Sequence, residues 1–278
     1  MNPSRTLCSP LLPQYAGYID GKWRSAQSNR MLIVRDPATG DRLAEVPDMG
    51  EAEALAAIEA ADHAWRTPVP TGERKQWLVD IHSKLLANRD ELARIITLEQ
   101  GKPLKEAQVE VDYAAGFFQV FASHLERLKP STLDKTIRGA SWTAHHRPAG
   151  VAALITPWNF PLATLAKKLP AALGAGCSVV IKPAELTPLS AIALVHLCEQ
   201  AGVPAGRVNL VIGQPAPIGK VLCEHPAVRV ISFTGSTRTG QLLLRDSAAH
   251  VKRLALELGG NAPFSCSTTP TSKPPPAH

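Results

Sequence analysis

From Gly150 onward, short apolar runs alternate with longer amphipathic stretches. VAALIT (151–156), CSVVIK (177–182), RVNLVI (207–212), VRVISFT (228–234) and KRLALEL (252–258) predict strands. Helices are predicted near 161–173, 188–201, 215–224 and 236–249. Strands that are apolar on both faces, separated by helices, predict a parallel sheet covered on both sides. The fold class is α/β, a doubly wound parallel sheet. Such sheets bind ligands beyond the carboxyl ends of their strands.

The first half has a different texture. Residues 1–14 show no pattern and read as a flexible tail. Tyr18-Ile-Asp-Gly-Lys-Trp23 carries the Asp-Gly signature of a tight hairpin. VRDPATGDRLAEVP (34–47) is a second strand–turn–strand, punctuated by Asp-Pro and Thr-Gly. From Glu51 to about Arg127 the period is helical. Ala54, Leu55, Ile58, Ala61 and Trp65 share one face of 51–65, and Trp77, Leu78, Ile81 and Leu85 share one face of 74–88. Further helices over 90–99 and 104–128 are divided by Gly101-Lys-Pro103. Residues 130–148 alternate loosely and read as a projecting β-hairpin.

Composition narrows the function classes. The 278 residues hold 45% hydrophobic and 19% charged side chains, which suits one or two soluble domains. Net charge is +6, yet the basic residues are scattered rather than clustered, which argues against a nucleic-acid partner. The cysteines are Cys8, Cys177, Cys198, Cys223 and Cys266, an odd number with no CxxC pair. That argues against a disulfide framework or a zinc site, so no metal is expected, and it fits a reducing, cytoplasmic setting. There is neither a signal-peptide pattern nor a long apolar span, so no membrane association is expected.

Candidate chemistry collects at the predicted strand ends. The first strand runs into Thr156-Pro-Trp-Asn-Phe-Pro161, the second into Lys182-Pro-Ala-Glu185, the third into Gly213. The fourth leads to Thr234-Gly-Ser-Thr-Arg-Thr-Gly240 and the fifth to Glu257-Leu-Gly-Gly260. Gly235 and Gly240 form G-x-x-x-x-G, a weak fingerprint alone, placed where a strand feeds a helix whose N-terminus suits a pyrophosphate. Ser236 reads equally as a helix N-cap and as a phosphate ligand. Glu257 is a carboxylate closing an apolar strand, a costly position without a partner or a function.

ITPWNFP, KPAELTP, FTGSTRTG and LELGGNAPF, in this order and spacing, resemble the aldehyde dehydrogenase family, most closely its semialdehyde dehydrogenase branch. The resemblance runs from about Tyr18 to Phe264. It implies a Rossmann-like cofactor domain with N-terminal helices and a projecting hairpin of the oligomerisation type. Asn159 then resembles the amide that stabilises the oxyanion formed from an aldehyde. Glu257 resembles the general base that activates water. Lys182 and Glu185 resemble the ribose contacts, with the carboxylate favouring NAD over NADP. The resemblance also places Thr156, Pro157, Trp158 and Ala184 against the cofactor, together with Gly213, Phe233, Gly235, Ser236, Gly240 and Leu258. Lys167 stands where semialdehyde dehydrogenases often carry an Arg for the substrate carboxylate. It is a weak candidate, since Lys lacks the planar fork and a solvated helix face explains it as well. The implied partners are a small-molecule aldehyde such as succinate semialdehyde, and a homo-oligomer or a full-length homologue.

The family's nucleophilic cysteine should lie well beyond Glu257, in a Gly-Gln-x-Cys setting. Here only residues 258–278 follow, and Cys266 sits in a Ser/Thr/Pro-rich segment that matches nothing. The catalytic domain is therefore expected to be absent. One allowed choice of codons for 264–278, read from the third base of the Phe264 codon, gives LVFDDADLETAARA, which matches the family's continuation. The expected organisation is a tail (1–14), an NAD-binding domain (15–264) and a disordered, frameshifted tail (265–278). The expected behaviour is cofactor binding without turnover; the alternative is a non-catalytic NAD-binding or dimerising remnant.

Overall fold

The computed structural model describes residues 7–132 and 140–263 with Ser265, and the backbone alone of 133–137. Its centre is a seven-stranded sheet of order β11-β10-β7-β8-β9-β1-β2. The strands β7 (Val151–Ile155), β8 (Ser178–Lys182), β9 (Val208–Leu210), β10 (Val228–Gly235) and β11 (Arg253–Leu258) pair in parallel. They are joined by α5 (Ala163–Gly174), α6 (Leu189–Gln200), α7 (Pro215–Glu224) and α8 (Thr237–Ser247), as the alternating pattern predicts. The hairpin β1 (Gly17–Ile19) and β2 (Lys22–Arg24) extends the sheet antiparallel to β9. Its turn residues, Asp20 (φ 52°) and Gly21 (φ 73°), both adopt the left-handed region that a two-residue hairpin needs.

The pleat divides the core in two. Ala152 and Leu154 of β7 and Val179 and Ile181 of β8 face one layer, whereas Val151, Ala153 and Val180 face the other. The first layer holds α5, α6 and the helices α2 (Thr71–Ala87), α3 (Arg89–Gln100) and α4 (Leu104–His124). The second holds α1 (Glu51–Trp65), α7 and α8. The face of α1 differs from expectation at one position, since Leu55 is exposed and Ala57 takes its place inside. Two further antiparallel pairs lie apart from this sheet, β3 (Met31–Arg35) with β4 (Arg42–Pro47), and β5 (Ser131–Ile137) with β6 (Ala140–Ala144).

Two expectations need correction. The segment read as a loose tail is packed from Leu7 onward: Leu7, Leu11 and Leu12 are buried, and the Leu7 N–H donates to the Leu43 carbonyl at 2.7 Å. Three leucines spaced around one short turn supply the apolar surface that anchors it. The parallel sheet is also not covered on both faces throughout. Over β7, β10 and β11 lies an open groove of about 430 Å³, walled by Phe117, Phe121, Leu154 and Val230 and reaching Ala255 and Glu257. Among the described residues no helix closes it, because α4 and α5 end their cover at β7. The tail expected over 265–278 falls outside the described residues except for Ser265.

Candidate cofactor and catalytic site

Parallel pairing brings the predicted strand ends to one edge. Ile155 lies opposite both Lys182 and Phe233, and Thr234 lies opposite Glu257. The segments after β7, β8, β10 and β11 are therefore neighbours, which the sequence could suggest only by analogy of position.

After β7, Thr156 is 4% exposed, and its side-chain hydroxyl has no partner. A buried orphan hydroxyl at a sheet edge is costly unless something binds there. Pro157 is half-buried, while Trp158, Asn159 and Phe160 are exposed. Asn159 thus presents its side chain to solvent, whereas its carbonyl accepts from Lys102 Nζ at 2.9 Å.

After β8, the Lys182 side chain is 4% exposed, with Nζ 2.9 Å from the Glu185 carboxylate. Burial lowers the lysine's proton affinity, and Glu185 only partly restores it. Ala184 and Glu185 are half-buried beside it. The buried ammonium has donors to spare at this edge.

After β10, Ser236 caps α8: its Oγ accepts from Thr239 N at 3.2 Å. The cap leaves the Thr237 and Arg238 N–H groups free at the positive end of the helix dipole. A Cβ at Gly235 would come within 2.5 Å of the buried Phe233 ring, which favours glycine there, whereas one at Gly240 would meet only the tip of the exposed Leu258 side chain, which can turn aside. Gly213 differs. Its Cα faces the backbone of Met49, where a Cβ would lie 2.0 Å from the carbonyl oxygen. Packing alone demands glycine there.

After β11, the Glu257 carboxylate meets Lys167 Nζ at 2.6 Å and Lys168 Nζ at 3.9 Å, and accepts from Thr234 Oγ1 at 2.8 Å. Burial would raise this carboxyl; the Lys167 and Thr234 hydrogen bonds and the two ammonium charges outweigh it and hold it below the usual range. Lys168 is buried against Ser232 Oγ at 3.0 Å, and desolvation lowers its proton affinity despite Glu257. Lys167 is therefore engaged by Glu257.

Three residues that the sequence reading passed over support this edge. Glu110 accepts from Leu162 N and Ala163 N at 3.0 and 3.1 Å, and pairs with Lys102. Glu99 accepts from Leu189 N and Ser190 N at 2.7 and 2.8 Å. Neither α5 nor α6 has a side-chain cap of its own. The signal was present: each glutamate interrupts an otherwise apolar helix face, Glu99 after Leu92, Ile95 and Ile96, and Glu110 amid Ala107, Val111 and Ala114.

The cysteines do not join the site. Burial pushes the Cys198 thiol up to about 12 and the Cys223 thiol up to about 11, so neither supplies a thiolate. Cys177 is buried at the amino end of β8, and exposed Cys8 lies in the N-terminal segment. Cys266 lies outside the described residues. Among the described residues no cluster of three or more His, Cys, Asp or Glu suits a metal ion, and no helix is long and apolar enough to cross a membrane.

A family model described as "Aldehyde dehydrogenase family" matches residues 23–267. The chain belongs to the aldehyde dehydrogenase family. It is 48% identical over 257 residues to a non-phosphorylating aspartate-semialdehyde dehydrogenase of Halomonas elongata, covering 91% of this chain and 52% of that protein. It is 45% identical over 249 residues to an NADP-dependent succinate-semialdehyde dehydrogenase of Escherichia coli, covering 88% of this chain and 52% of that protein. A crystal structure of a Burkholderia pseudomallei succinate-semialdehyde dehydrogenase matches with TM-score 0.89 and 48% identity, over 93% of this chain and 54% of that one. A Staphylococcus aureus betaine aldehyde dehydrogenase in complex with NAD+ matches with TM-score 0.86 and 33% identity, over 89% of this chain and 50% of that one. The chain thus spans about half the length of the curated relatives it matches.

Aldehyde dehydrogenases use a nicotinamide cofactor, and the edge fits one. An orphan buried hydroxyl, a buried ammonium with spare donors and a capped helix with free N–H groups form a donor set for a phosphorylated, hydroxyl-rich ligand.

Proposed function

We propose that this chain is the nicotinamide-cofactor-binding part of an aldehyde dehydrogenase acting on a short acidic aldehyde. One observation supports the reading: Ile155 pairs with Lys182 and Phe233, and Thr234 with Glu257, so the segments that leave these strands start from one sheet edge. Lys182 and Glu185 would hold the adenosine ribose, and the free N–H groups of α8 the pyrophosphate. The Glu185 carboxylate would repel a 2′-phosphate, which favours NAD over NADP.

When bound, the cofactor supplies a hydride acceptor. The Asn159 amide, already exposed, would donate to the oxygen of the aldehyde as charge builds on it. Glu257 would take a proton from water, and its link to Lys167 and Lys168 sets how readily it does so. Covalent catalysis by this family's route also calls for a thiolate; burial keeps Cys198 and Cys223 as thiols, and Cys177, although it lines the groove that reaches Glu257, is buried at the amino end of β8, whereas the candidates gather at the carboxyl ends. Cofactor binding without turnover is therefore the expected behaviour of the 278-residue chain. Succinate semialdehyde and related acid aldehydes are the substrate class suggested by the semialdehyde dehydrogenases among its relatives, with Lys167 the candidate for the distal carboxylate.

Calorimetric titration with NAD+ and NADP+ tests the reading. Saturable binding, tighter for NAD+ and abolished by Lys182→Met, is expected. Absence of binding to a folded chain, or turnover with a panel of aldehydes, would count against it. The β6 strand, exposed from Ala140 to Thr143, favours a second reading, a dimerising remnant, for which a dimer by size-exclusion chromatography is the signature.

A further inference from the structure

We infer that the buried Lys102–Glu110 pair is the positioning device for the loop that presents Asn159. The inference rests on the proposed role of that amide. The loop from Thr156 to Leu162 contains Pro157 and Pro161, which have no N–H to donate. Its own backbone supplies few ties: Thr156 N donates to the Lys182 carbonyl, and the Phe160 and Leu162 carbonyls accept from Thr164 N and Ala166 N. The stretch between them would be free to move.

The pair makes four contacts with the loop and the start of α5, the first of them at Asn159 itself. Lys102 Nζ donates to the Asn159 carbonyl at 2.9 Å, and the same ammonium sits 3.8 Å from the centroid of the Phe160 ring. Glu110 Oε1 accepts from both Leu162 N and Ala163 N, the orphan donors that begin α5, while its other oxygen takes Lys102. The Glu110 side chain is wholly buried and that of Lys102 is 8% exposed, so neither charge is sustained by water and each requires the other. The backbone explains how Lys102 comes to be there. Gly101 closes α3 with φ 92°, and Pro103 opens α4, so the single residue between them is turned toward the loop.

A simple helix cap would need only Glu110. The lysine, reaching past the cap to the residue that carries the amide, distinguishes positioning from capping. Lys102 and Glu110 touch neither aldehyde nor cofactor; they act through Asn159 and are positioning residues.

Hydrogen exchange read by mass spectrometry, without cofactor, tests this on the full chain. In Lys102→Met and in Glu110→Gln, peptides covering 156–163 should exchange about tenfold faster, as loss of one charged hydrogen bond allows, while β8 peptides stay protected. Lys102→Arg keeps the charge and should exchange close to the unsubstituted chain. NAD+ affinity of the two disruptive variants should fall about tenfold as the loop loosens. Unchanged exchange at 156–163, or acceleration shared equally by β8, overturns the inference. Should both single variants fail to fold, the double variant Lys102→Met/Glu110→Met removes both charges together. A folded double variant with a loosened loop supports the inference. A protected loop, or a further failure to fold, assigns the pair to the core and overturns it. The two proposals separate cleanly. No NAD+ binding by the unsubstituted chain, with loop exchange still dependent on the pair, sinks the cofactor reading alone; binding with exchange indifferent to the pair sinks the clamp alone.

Discussion

Lys167 and Glu257 meet at 2.6 Å across the open edge of the sheet, joining the start of α5 to the end of β11. The carboxylate has a second donor in Thr234, its neighbour in the β10–β11 register. Lys167→Met removes the closest donor, so the Glu257 carboxyl should titrate at higher pH, nearer the ordinary carboxylate value. A carboxyl held low when folded adds stability above its unfolded pKa and loses it as pH falls through the folded one. The variant should accordingly lose less stability on acidification. Both groups are substantially exposed, so the difference should stay under about 1 kcal/mol. A carbon-detected NMR titration of Glu257 checks this, and an unchanged midpoint would count against the pairing.

Glu99 should make stability depend on pH in the opposite sense. Burial raises its carboxyl to about 7, even though Ser190 and Leu189 donate to it. A carboxyl raised when folded contributes most below its unfolded value of 4.5, and the contribution is lost as pH rises through about 7. The difference in melting temperature between the unsubstituted chain and Glu99→Gln should shift against the unsubstituted chain over that window. By linkage the change is on the order of 3 kcal/mol at most. Thermal scans of both proteins from about pH 4 to 8, which bracket the unfolded value of 4.5 and the folded value of about 7, decide it.

On the proposed cofactor-binding role, Lys182 should cost the fold some stability. Its ammonium is desolvated, with a single carboxylate partner on one side. Lys182→Met keeps the stem and removes the charge, so the melting temperature should rise by about 2 °C while NAD+ affinity is lost. Differential scanning calorimetry with a parallel NAD+ titration would show both. A variant that is less stable and still binds would contradict the assignment.

Two glycines should respond in opposite directions. Gly213→Ala drives a methyl into the Met49 backbone and should destabilise by about 1–3 kcal/mol. Gly219, within α7, has open space where a Cβ would go, and Gly219→Ala should stabilise by about 0.5–1 kcal/mol. Urea denaturation midpoints give both values.

The helices and parallel strands were legible because their apolar periods are long and unmixed. Prolines and glycines at their ends, such as Gly101-Lys-Pro103 and Pro215, marked the boundaries to within a few residues. The shared edge was legible because most candidates lie at or just after the carboxyl end of a strand, and parallel strands deliver those ends together. What local pattern could not reveal was partnership across the chain. Glu99 and Glu110 interrupt apolar helix faces, but which groups they serve was decided only when α6 and α5 brought uncapped N–H groups to them. Leu7, Leu11 and Leu12 looked loose because their partners lie far along the chain. Lys167 looked like a free cation until β11 placed Glu257 beside it.

The sequence by itself determined the element types, the parallel character of the α/β half and the set of polar residues near the strand ends, because these follow from local period and turn chemistry; the strand order came from the tertiary structure. Tertiary structure alone decided which charges pair, which glycine serves packing and which face of the sheet stays open. Those depend on distances between segments remote in sequence, where burial converts a weak surface ion pair into a strong constraint and leaves a charge unsupported if its partner is removed.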